Sequence, residues 1–290
     1  MNKDFDRGHH FSLNLGGRLY HFDEPAVMAI LNVTPDSFYR KDEEKGAIPT
    51  TSALLKQAAQ MLEEGADFLD VGGHSTRPGA VTVTEDEELK RVIPVIEALI
   101  REFPSALISI DTYRSKVAEE AIAAGACLIN DVTGGREDSE IAAVAARNSV
   151  PYVLMHIKGT FQTMQADPQY EDVVMEILRY FATRQDWLRQ RGVKDVILDP
   201  GFGFGKTTLH NFIILKKLHL FKEFNLPVLA GVSRKSMINK ILHTKPEDAL
   251  AGTIAVNTIA LLEGCSILRV HDVKAAKDAI KITRFYDSVI

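Results

Sequence analysis

Eight short apolar runs, spread over almost the whole chain, constrain the fold most. In chain order they read AVMAIL, DFLDV, ALISI, CLIN, YVLM, DVILD, PVLAG and SILRV. None of them alternates strictly between apolar and polar residues, which is typical of strands buried on both faces of a parallel sheet. The runs therefore predict eight parallel strands.

The segments between the runs have a helical pattern. TSALLKQAAQMLEEGA and EELKRVIPVIEALIREF carry apolar residues at three- and four-residue spacing, as on an amphipathic helix. Eight β-α units in 290 residues predict an α/β fold of the (β/α)8 TIM-barrel type. A doubly wound open sheet is the alternative, and eight units without an obvious break favour the barrel.

The domain organisation is predicted to be simple. We expect one domain over residues 1–290, with residues 1–25 forming an N-terminal extension. Within that extension, FSLNLGGRLYHF predicts a small hairpin with a Gly-Gly turn. We expect the hairpin to plug the bottom of the barrel.

The composition excludes several classes of protein. The chain is 46% hydrophobic and 25% charged, with a net charge of -5, which disfavours a broad nucleic-acid surface. Cys127 and Cys265 both lie in apolar stretches, which predicts buried thiols rather than a disulfide framework. No apolar run is long enough to cross a bilayer, and the N-terminus does not resemble a signal peptide. We therefore expect a cytoplasmic enzyme with no membrane or nucleic-acid partner.

Polar residues follow each predicted strand. In a TIM barrel the carboxyl ends of the strands converge on one face, where such enzymes keep their active sites. Each of these residues alone could instead cap a helix or shape a turn. Eight in succession predict a site, formed by Asn32, Arg77, Asp111, Asn130, Asp199, Lys235, Arg269 and His271.

The basic members of this set indicate an anionic ligand. Arg77, Lys235, Arg269 and His271 would make the barrel mouth locally positive in a chain that is acidic overall. Guanidinium groups suit phosphate oxygens because they can donate two parallel hydrogen bonds.

The other members suit a flat heterocycle that carries N–H groups. Asp111, Asn130 and Asp199 can accept such hydrogen bonds, and they would be costly if buried without a partner. Asp199 opens the glycine-rich stretch DPGFGFGK, in which Phe202 or Phe204 could form a wall beside the ring. The stretch is not a P-loop, because the spacing of its glycines before the Gly-Lys-Thr is wrong.

Seven motifs together resemble one enzyme family. NVTPDSF, GGHSTRPGA, SIDT, INDVTGG, DPGFGFGK, GVSRKS and RVHDV occur in this order between about Ala26 and Val273. In this respect the chain resembles the dihydropteroate synthases, folate-pathway enzymes that are inhibited by sulfonamides. The resemblance implies a transferase that joins 6-hydroxymethyl-7,8-dihydropterin pyrophosphate to 4-aminobenzoate, releases pyrophosphate, uses Mg2+ and is usually a homodimer.

The same resemblance implies roles for individual residues. The pterin would be bound by Asp111, Asn130, Met155, Asp199, Phe204 and Lys235. The pyrophosphate would be bound by Asn32, Thr76, Arg77, Arg269 and His271, and Asn32 would also meet the Mg2+. The 4-aminobenzoate would be bound by Phe38, Pro78, Lys235 and Ser236. Catalytic roles fall to Asp111, Lys235, Arg269 and His271.

Two departures from the family pattern keep other functions open. Arg40 stands where the family commonly has Asp in its first loop, so a pterin-binding paralogue that has lost turnover is an alternative. His74 stands where the family commonly has Glu, and we expect it to be a surface histidine with little effect. A methyltetrahydrofolate-corrinoid methyltransferase is a further alternative, disfavoured by STRPG, SRKS and RVHDV.

Overall fold

The computed structural model describes residues 11–34, 49–74 and 83–289. Ten strands are described: β1 Ser12–Leu15, β2 Arg18–His21, β3 Ala26–Asn32, β4 Phe68–Gly72, β5 Leu107–Asp111, β6 Leu128–Asp131, β7 Tyr152–Met155, β8 Val196–Asp199, β9 Leu229–Ala230 and β10 Ile267–Val270. Nine α-helices are described: α1 Thr51–Glu63, α2 Glu85–Glu102, α3 Ser115–Ala123, α4 Glu140–Asn148, α5 Val173–Gln190, α6 Thr208–Lys216, α7 Ser236–Leu242, α8 Leu250–Leu262 and α9 Val273–Ser288. Two 3-10 helices, Leu218–Phe224 and Pro246–Asp248, complete these elements.

Strands β3 to β10 form a TIM barrel. They are parallel and lie in the order β8-β7-β6-β5-β4-β3-β10-β9. The two ends of this sheet meet where Leu198 bridges Val228 and donates its backbone N–H to Pro227 O at 2.9 Å. All eight predicted strands are present, and the open-sheet alternative is excluded.

The outer face of the barrel is covered by helices. Val27, Ala29 and Leu31 of β3 belong to the large core that the strands share with the helices, whereas Met28 belongs to a separate cluster inside the barrel. Successive side chains of a strand point to opposite faces, so both faces must be apolar where both are buried. This explains why the predicted strands lack a polar alternation.

The inside of the barrel changes from apolar to polar along the strands. Phe68, Leu128, Ile197 and Ile267 lie in the inner cluster, one from each alternate strand. Two positions further along the same strands, and therefore on the same inner face, are Asp70, Asn130, Asp199 and Arg269. The fold thus puts four polar side chains directly above an apolar floor.

The N-terminal hairpin closes the lower end of the barrel, as predicted. β1 pairs antiparallel with β2 around a turn at Gly16 and Gly17. Leu13 and Leu15 are buried in the inner cluster together with Phe68 and Ile197. The hairpin therefore completes the apolar floor under the polar residues.

Two further sequence expectations concern thiols and membranes. Cys127 and Cys265 are free cysteines; Cys265 is buried and Cys127 is partly buried. Over the described part of the chain, no helix is both long and apolar enough to cross a bilayer.

We predict that replacing Leu13 by Ala lowers the free energy of unfolding by about 2–5 kcal/mol, because it opens a cavity in the barrel floor. The matched control is Leu19→Ala in the same hairpin, since Leu19 is 64% exposed whereas Leu13 is 2% exposed. The control should cost less than about 0.5 kcal/mol. Urea unfolding measures both, and equal losses would show that the hairpin does not plug the barrel.

Candidate active site

Arg269 lies at the centre of the polar group inside the barrel. Its Nε donates to Asp70 Oδ2 at 2.7 Å, and its Nη2 donates to Asp111 Oδ2 at 2.7 Å. Asn130 Nδ2 donates to the same Oδ2 of Asp70 at 3.0 Å. The structure thus joins Arg269 directly to Asp111, and it links Arg269 to Asn130 through Asp70, a residue that sequence reasoning missed. Asp70 was missed because it lies in the middle of the run DFLDV rather than after it.

The pKa values of both Asp111 and Arg269 are raised in this group, for different reasons. Burial raises the pKa of Asp111 to about 6; the Arg269 guanidinium opposes the shift and the Asp70 carboxylate adds to it. Burial alone would lower the pKa of Arg269, but Asp70 and Asp111 raise it, so the guanidinium stays charged. Asp111 is therefore a carboxylate that ionises close to neutral pH beside a permanent cation.

Asp199 and Lys235 form a second pair of charges at the mouth. Burial raises the pKa of Asp199, although Lys235 opposes this, and one carboxylate oxygen accepts from Gly201 N at 2.7 Å. Burial lowers the pKa of Lys235 to about 8, with Asp199 opposing the shift. The Lys235 ammonium donates to Phe202 O and lies 4.9 Å from the centre of the Phe204 ring. Asp199 therefore shapes its own turn as well as facing the barrel.

The buried side chain of Lys206 holds the glycine-rich loop after Asp199 in place. The buried Lys206 Nζ donates to the backbone oxygens of His156, Gly201 and Phe204 at 2.9–3.1 Å. It also lies 3.0 Å from His156 Nδ1, and burial and the charge of Lys206 lower the pKa of His156 to about 2. His156 is therefore neutral. Sequence reasoning assigned neither residue a role.

The glycines of this loop are explained by close backbone packing. Gly201 has φ +71, and a Cβ there would lie 1.9 Å from His156 O. Gly205 has φ +64, and a Cβ there would lie 2.3 Å from Lys158 O. A side chain at either position would be strained by the positive φ and would also clash. Glycines are needed at these two positions because the loop backbone packs closely against the segment that follows β7.

An apolar cluster lines one side of the mouth. Met155 is buried with Val132, Ile157 and Met164, and Phe204 packs against them. Phe202 is buried in the outer core instead, so Phe204 is the phenylalanine of this loop that lies near the predicted ligand residues.

His271 and Ser236 lie at the ends of β10 and α7. His271 Nδ1 is 3.0 Å from the hydroxyl of Ser233, which also accepts from the backbone N–H of His271 at 3.3 Å. Ser236 is exposed and begins α7 directly after Lys235. Arg234, from the same SRKS motif, is bound to both carboxylate oxygens of Asp272 at 2.7–2.9 Å, so it fixes this loop.

Asn32 lies at the end of β3, across Gly72 from Asp111. A Cβ on Gly72 would be 3.5 Å from Asn32 Oδ1 and 3.6 Å from Asp111 Oδ2. The amide oxygen of Asn32 and a carboxylate of the central group therefore approach the same glycine.

Several predicted site residues lie outside the described residues. They are Phe38, Arg40, Thr76, Arg77 and Pro78.

The expectation that His74 is a surface residue is wrong. Its side chain is 7% exposed, and its Nδ1 is 3.4 Å from Oε1 of the fully buried Glu88. Arg114 pairs with the other oxygen of Glu88, and the His74 ring meets Tyr113 edge to face at 5.1 Å. Burial lowers the pKa of His74, but the nearby carboxylates of Glu88 and Asp111 raise it overall. A buried glutamate on α2 is what draws this histidine inward.

Comparison with known proteins identifies the class. The family model described as "Pterin binding enzyme" matches residues 28–271, which include every element of the site above. The chain therefore belongs to the pterin-binding enzymes.

Named relatives narrow this class. Dihydropteroate synthase of Escherichia coli is 43% identical over 268 residues, covering 92% of this chain and 93% of that protein. Dihydropteroate synthase of Yersinia pestis, solved with a sulfonamide drug complex, superimposes with a TM-score of 0.90 at 40% identity, covering 96% of this chain and all of that one. The Xanthomonas albilineans enzyme, solved with 4-aminobenzoic acid, has a TM-score of 0.88 at 40% identity, covering 97% and 100%. Within the pterin-binding enzymes, this chain is a member of the dihydropteroate synthase family.

Proposed function

We propose that this chain condenses 6-hydroxymethyl-7,8-dihydropterin pyrophosphate with 4-aminobenzoate to give 7,8-dihydropteroate and pyrophosphate. The observation that carries the proposal is the polar group on the inner face of the barrel, above an apolar floor. The 4-aminobenzoic acid bound to the Xanthomonas albilineans relative supports the second substrate. We place the reaction in the cytoplasm, and the sulfonamide complex of the Yersinia pestis relative makes such drugs reasonable inhibitors to test.

The pterin ring fits the inner group. Asp111, Asn130 and Asp199 are each at most 8% exposed, and their oxygens suit the N–H groups of the heterocycle. Lys235, whose charge interacts with Asp199, can donate to a ring oxygen or nitrogen. The apolar Met155 and Phe204 lie on the same side of the mouth, where they can contact the ring face.

The pyrophosphate fits the basic side chains that extend from Arg269 of the inner group towards the outside of the mouth. Arg269 stays charged and His271 lies beyond it on the same strand end, while Thr76 and Arg77 follow β4 in sequence. Guanidinium donors match phosphate oxygens well.

Asn32 is the residue of this chain that would hold Mg2+, together with the pyrophosphate of the substrate. No group of three or more His, Cys, Asp or Glu side chains that could hold a metal is found within 11–34, 49–74 and 83–289. Mg2+ keeps several waters and is commonly held by one or two carboxylates plus substrate phosphates. Here the amide oxygen of Asn32 would be the protein ligand, and the pyrophosphate would supply the charged oxygens. When bound, the ion would neutralise charge on the pyrophosphate.

The residues of the chain then act on two developing charges. As the bond between the pterin methylene carbon and the pyrophosphate oxygen breaks, its electron pair leaves with pyrophosphate, which Arg269 and His271 hold. The methylene carbon becomes electron-poor, and the carboxylate of Asp111 near the ring favours that positive charge. The amine of 4-aminobenzoate forms the new C–N bond and gives up a proton to water or to the departing pyrophosphate. Ser236 and Lys235, with Phe38 and Pro78, would position the aminobenzoate.

The test of this function is direct. We expect the purified protein to form dihydropteroate from the two substrates and Mg2+, detected by chromatography, and to stop when the metal is chelated. Dihydropterin pyrophosphate binding without product would support the impaired paralogue instead. Methyl transfer from methyltetrahydrofolate to a corrinoid would support the methyltransferase.

We predict that the affinity for 6-hydroxymethyl-7,8-dihydropterin falls about fivefold between pH 6 and pH 5. The pKa of Asp111 is raised to about 6, so its carboxylate, which accepts the ring N–H, is lost as the pH falls through that value. Calorimetry across this range measures the slope. Asp111→Asn should bind weakly with no such slope, and a variant that kept the wild-type slope would contradict the assignment.

We also propose a homodimer formed through α7 and α8. These adjacent helices expose Ile241, Leu242, Leu250, Ile254 and Ile259. Exposed apolar side chains grouped on two neighbouring helices are typical of a subunit interface.

We predict that Ile254→Glu converts this dimer to monomers in sedimentation velocity experiments, because a charge would be buried at the interface. The control is Ile282→Glu on α9, which is exposed but lies outside the proposed interface. Dimers that survive Ile254→Glu, or that are lost with Ile282→Glu, would place the interface elsewhere.

A further inference from the structure

Asp70 is the buried member of the central group for which the reaction above has no role. It is the third residue of β4, it is 0% exposed, and it lies one layer above Phe68 of the apolar floor. A carboxylate at this depth is costly to bury unless it is paired and hydrogen-bonded. Its position therefore needs an explanation from its partners.

The two partners come from opposite sides along the sheet. Arg269 is on β10, two strands away from β4 in one direction, and Asn130 is on β6, two strands away in the other. Both donate to the same oxygen, Oδ2, at 2.7 and 3.0 Å. One acceptor atom thus fixes two side chains that are both assigned to substrate binding.

The contact with Asn130 determines which way its amide points. A carboxylate accepts hydrogen bonds and does not donate them, so the NH2 group of Asn130 must face Asp70. The carbonyl oxygen of Asn130 is then directed away from Asp70, as an acceptor. With an amide in place of Asp70, both orientations of Asn130 would find a partner, and its acceptor would no longer be fixed.

The contact with Arg269 leaves that cation anchored during binding. Arg269 is shared between Asp70 and Asp111. Arg269 uses Oδ2 of Asp111 and leaves Oδ1 without a hydrogen-bond partner among the described residues, so a pterin that donates to Oδ1 can shift the Asp111–Arg269 contact. Asp70 lies deeper, at 0% against 8% exposure, so its pairing with Arg269 Nε can persist while the Asp111 contact rearranges.

We propose that Asp70 is a positioning residue that holds the amide of Asn130 and the guanidinium of Arg269 in their binding orientations without touching the substrate. This proposal rests on the proposed pterin-binding function. It assigns Asp70 no part in the chemistry, and it predicts that the effect of Asp70 on ring binding is transmitted through Asn130.

A double-mutant cycle tests this, with 6-hydroxymethyl-7,8-dihydropterin as the probe because it lacks the pyrophosphate. We expect Asp70→Asn to weaken binding at least tenfold by calorimetry. In an Asn130→Ala background, where the amide is already absent, the same change should weaken binding less than threefold. A purely structural role would give the same loss in both backgrounds, and that result, or unchanged affinity in Asp70→Asn, would overturn the proposal.

Two controls make the outcome specific. Ser109→Ala alters the position paired with Asp70 on the next strand, equally buried, and should change binding less than twofold. If Asp70→Asn does not fold, Asp70→Ser takes its place in the cycle. Its effect on binding should likewise shrink to less than threefold in the Asn130→Ala background. If the wild-type protein fails to bind the dihydropterin, the proposed function is contradicted as well. If the wild type binds normally and the cycle is additive, only the positioning role of Asp70 is contradicted.

Discussion

A buried guanidinium held between two carboxylates is the constraint on which this structure depends. Arg269, Asp70 and Asp111 lie inside a barrel whose lower half is apolar, where each charge would be expensive without the others. Their relative positions must therefore be closely controlled, and side chains on regular strands satisfy this better than side chains on loops. The buried charges inside the barrel are stable only because β4, β5 and β10 hold them in fixed positions.

The rest of the fold keeps this group accessible from one side. The hairpin completes the floor with Leu13 and Leu15, so that water and ligands reach the charges through the mouth. On the mouth side, Lys206 fixes the loop after β8 through three backbone oxygens, which sets the position of Asp199 and Phe204. The hydrophobic floor and the buried lysine are thus both parts of the binding site, although neither is expected to touch a substrate.

The sequence predicted the barrel well because its signals are local. Short apolar runs, helical spacing and polar strand ends need no knowledge of distant contacts, and all eight strands were found where they were expected. Asp70 and Lys206 were missed because their roles depend on contacts between distant parts of the chain: Asp70 meets Arg269 across 199 positions, and Lys206 meets His156 across 50. A carboxylate inside an apolar run was the available signal for Asp70, since burial of such a group demands a partner.

His74 shows how a local departure from the family pattern can be consistent with this chain. Glu88 is fully buried on α2 and faces both His74 and Arg114. A glutamate at position 74 would bring a second carboxylate to the place where His74 lies 3.4 Å from Glu88, and like charges at that distance in a buried site repel strongly. A histidine whose pKa is raised by that carboxylate pairs with it instead. Glu88 of α2 therefore determines which residue is favourable at position 74, and the two positions must be interpreted together.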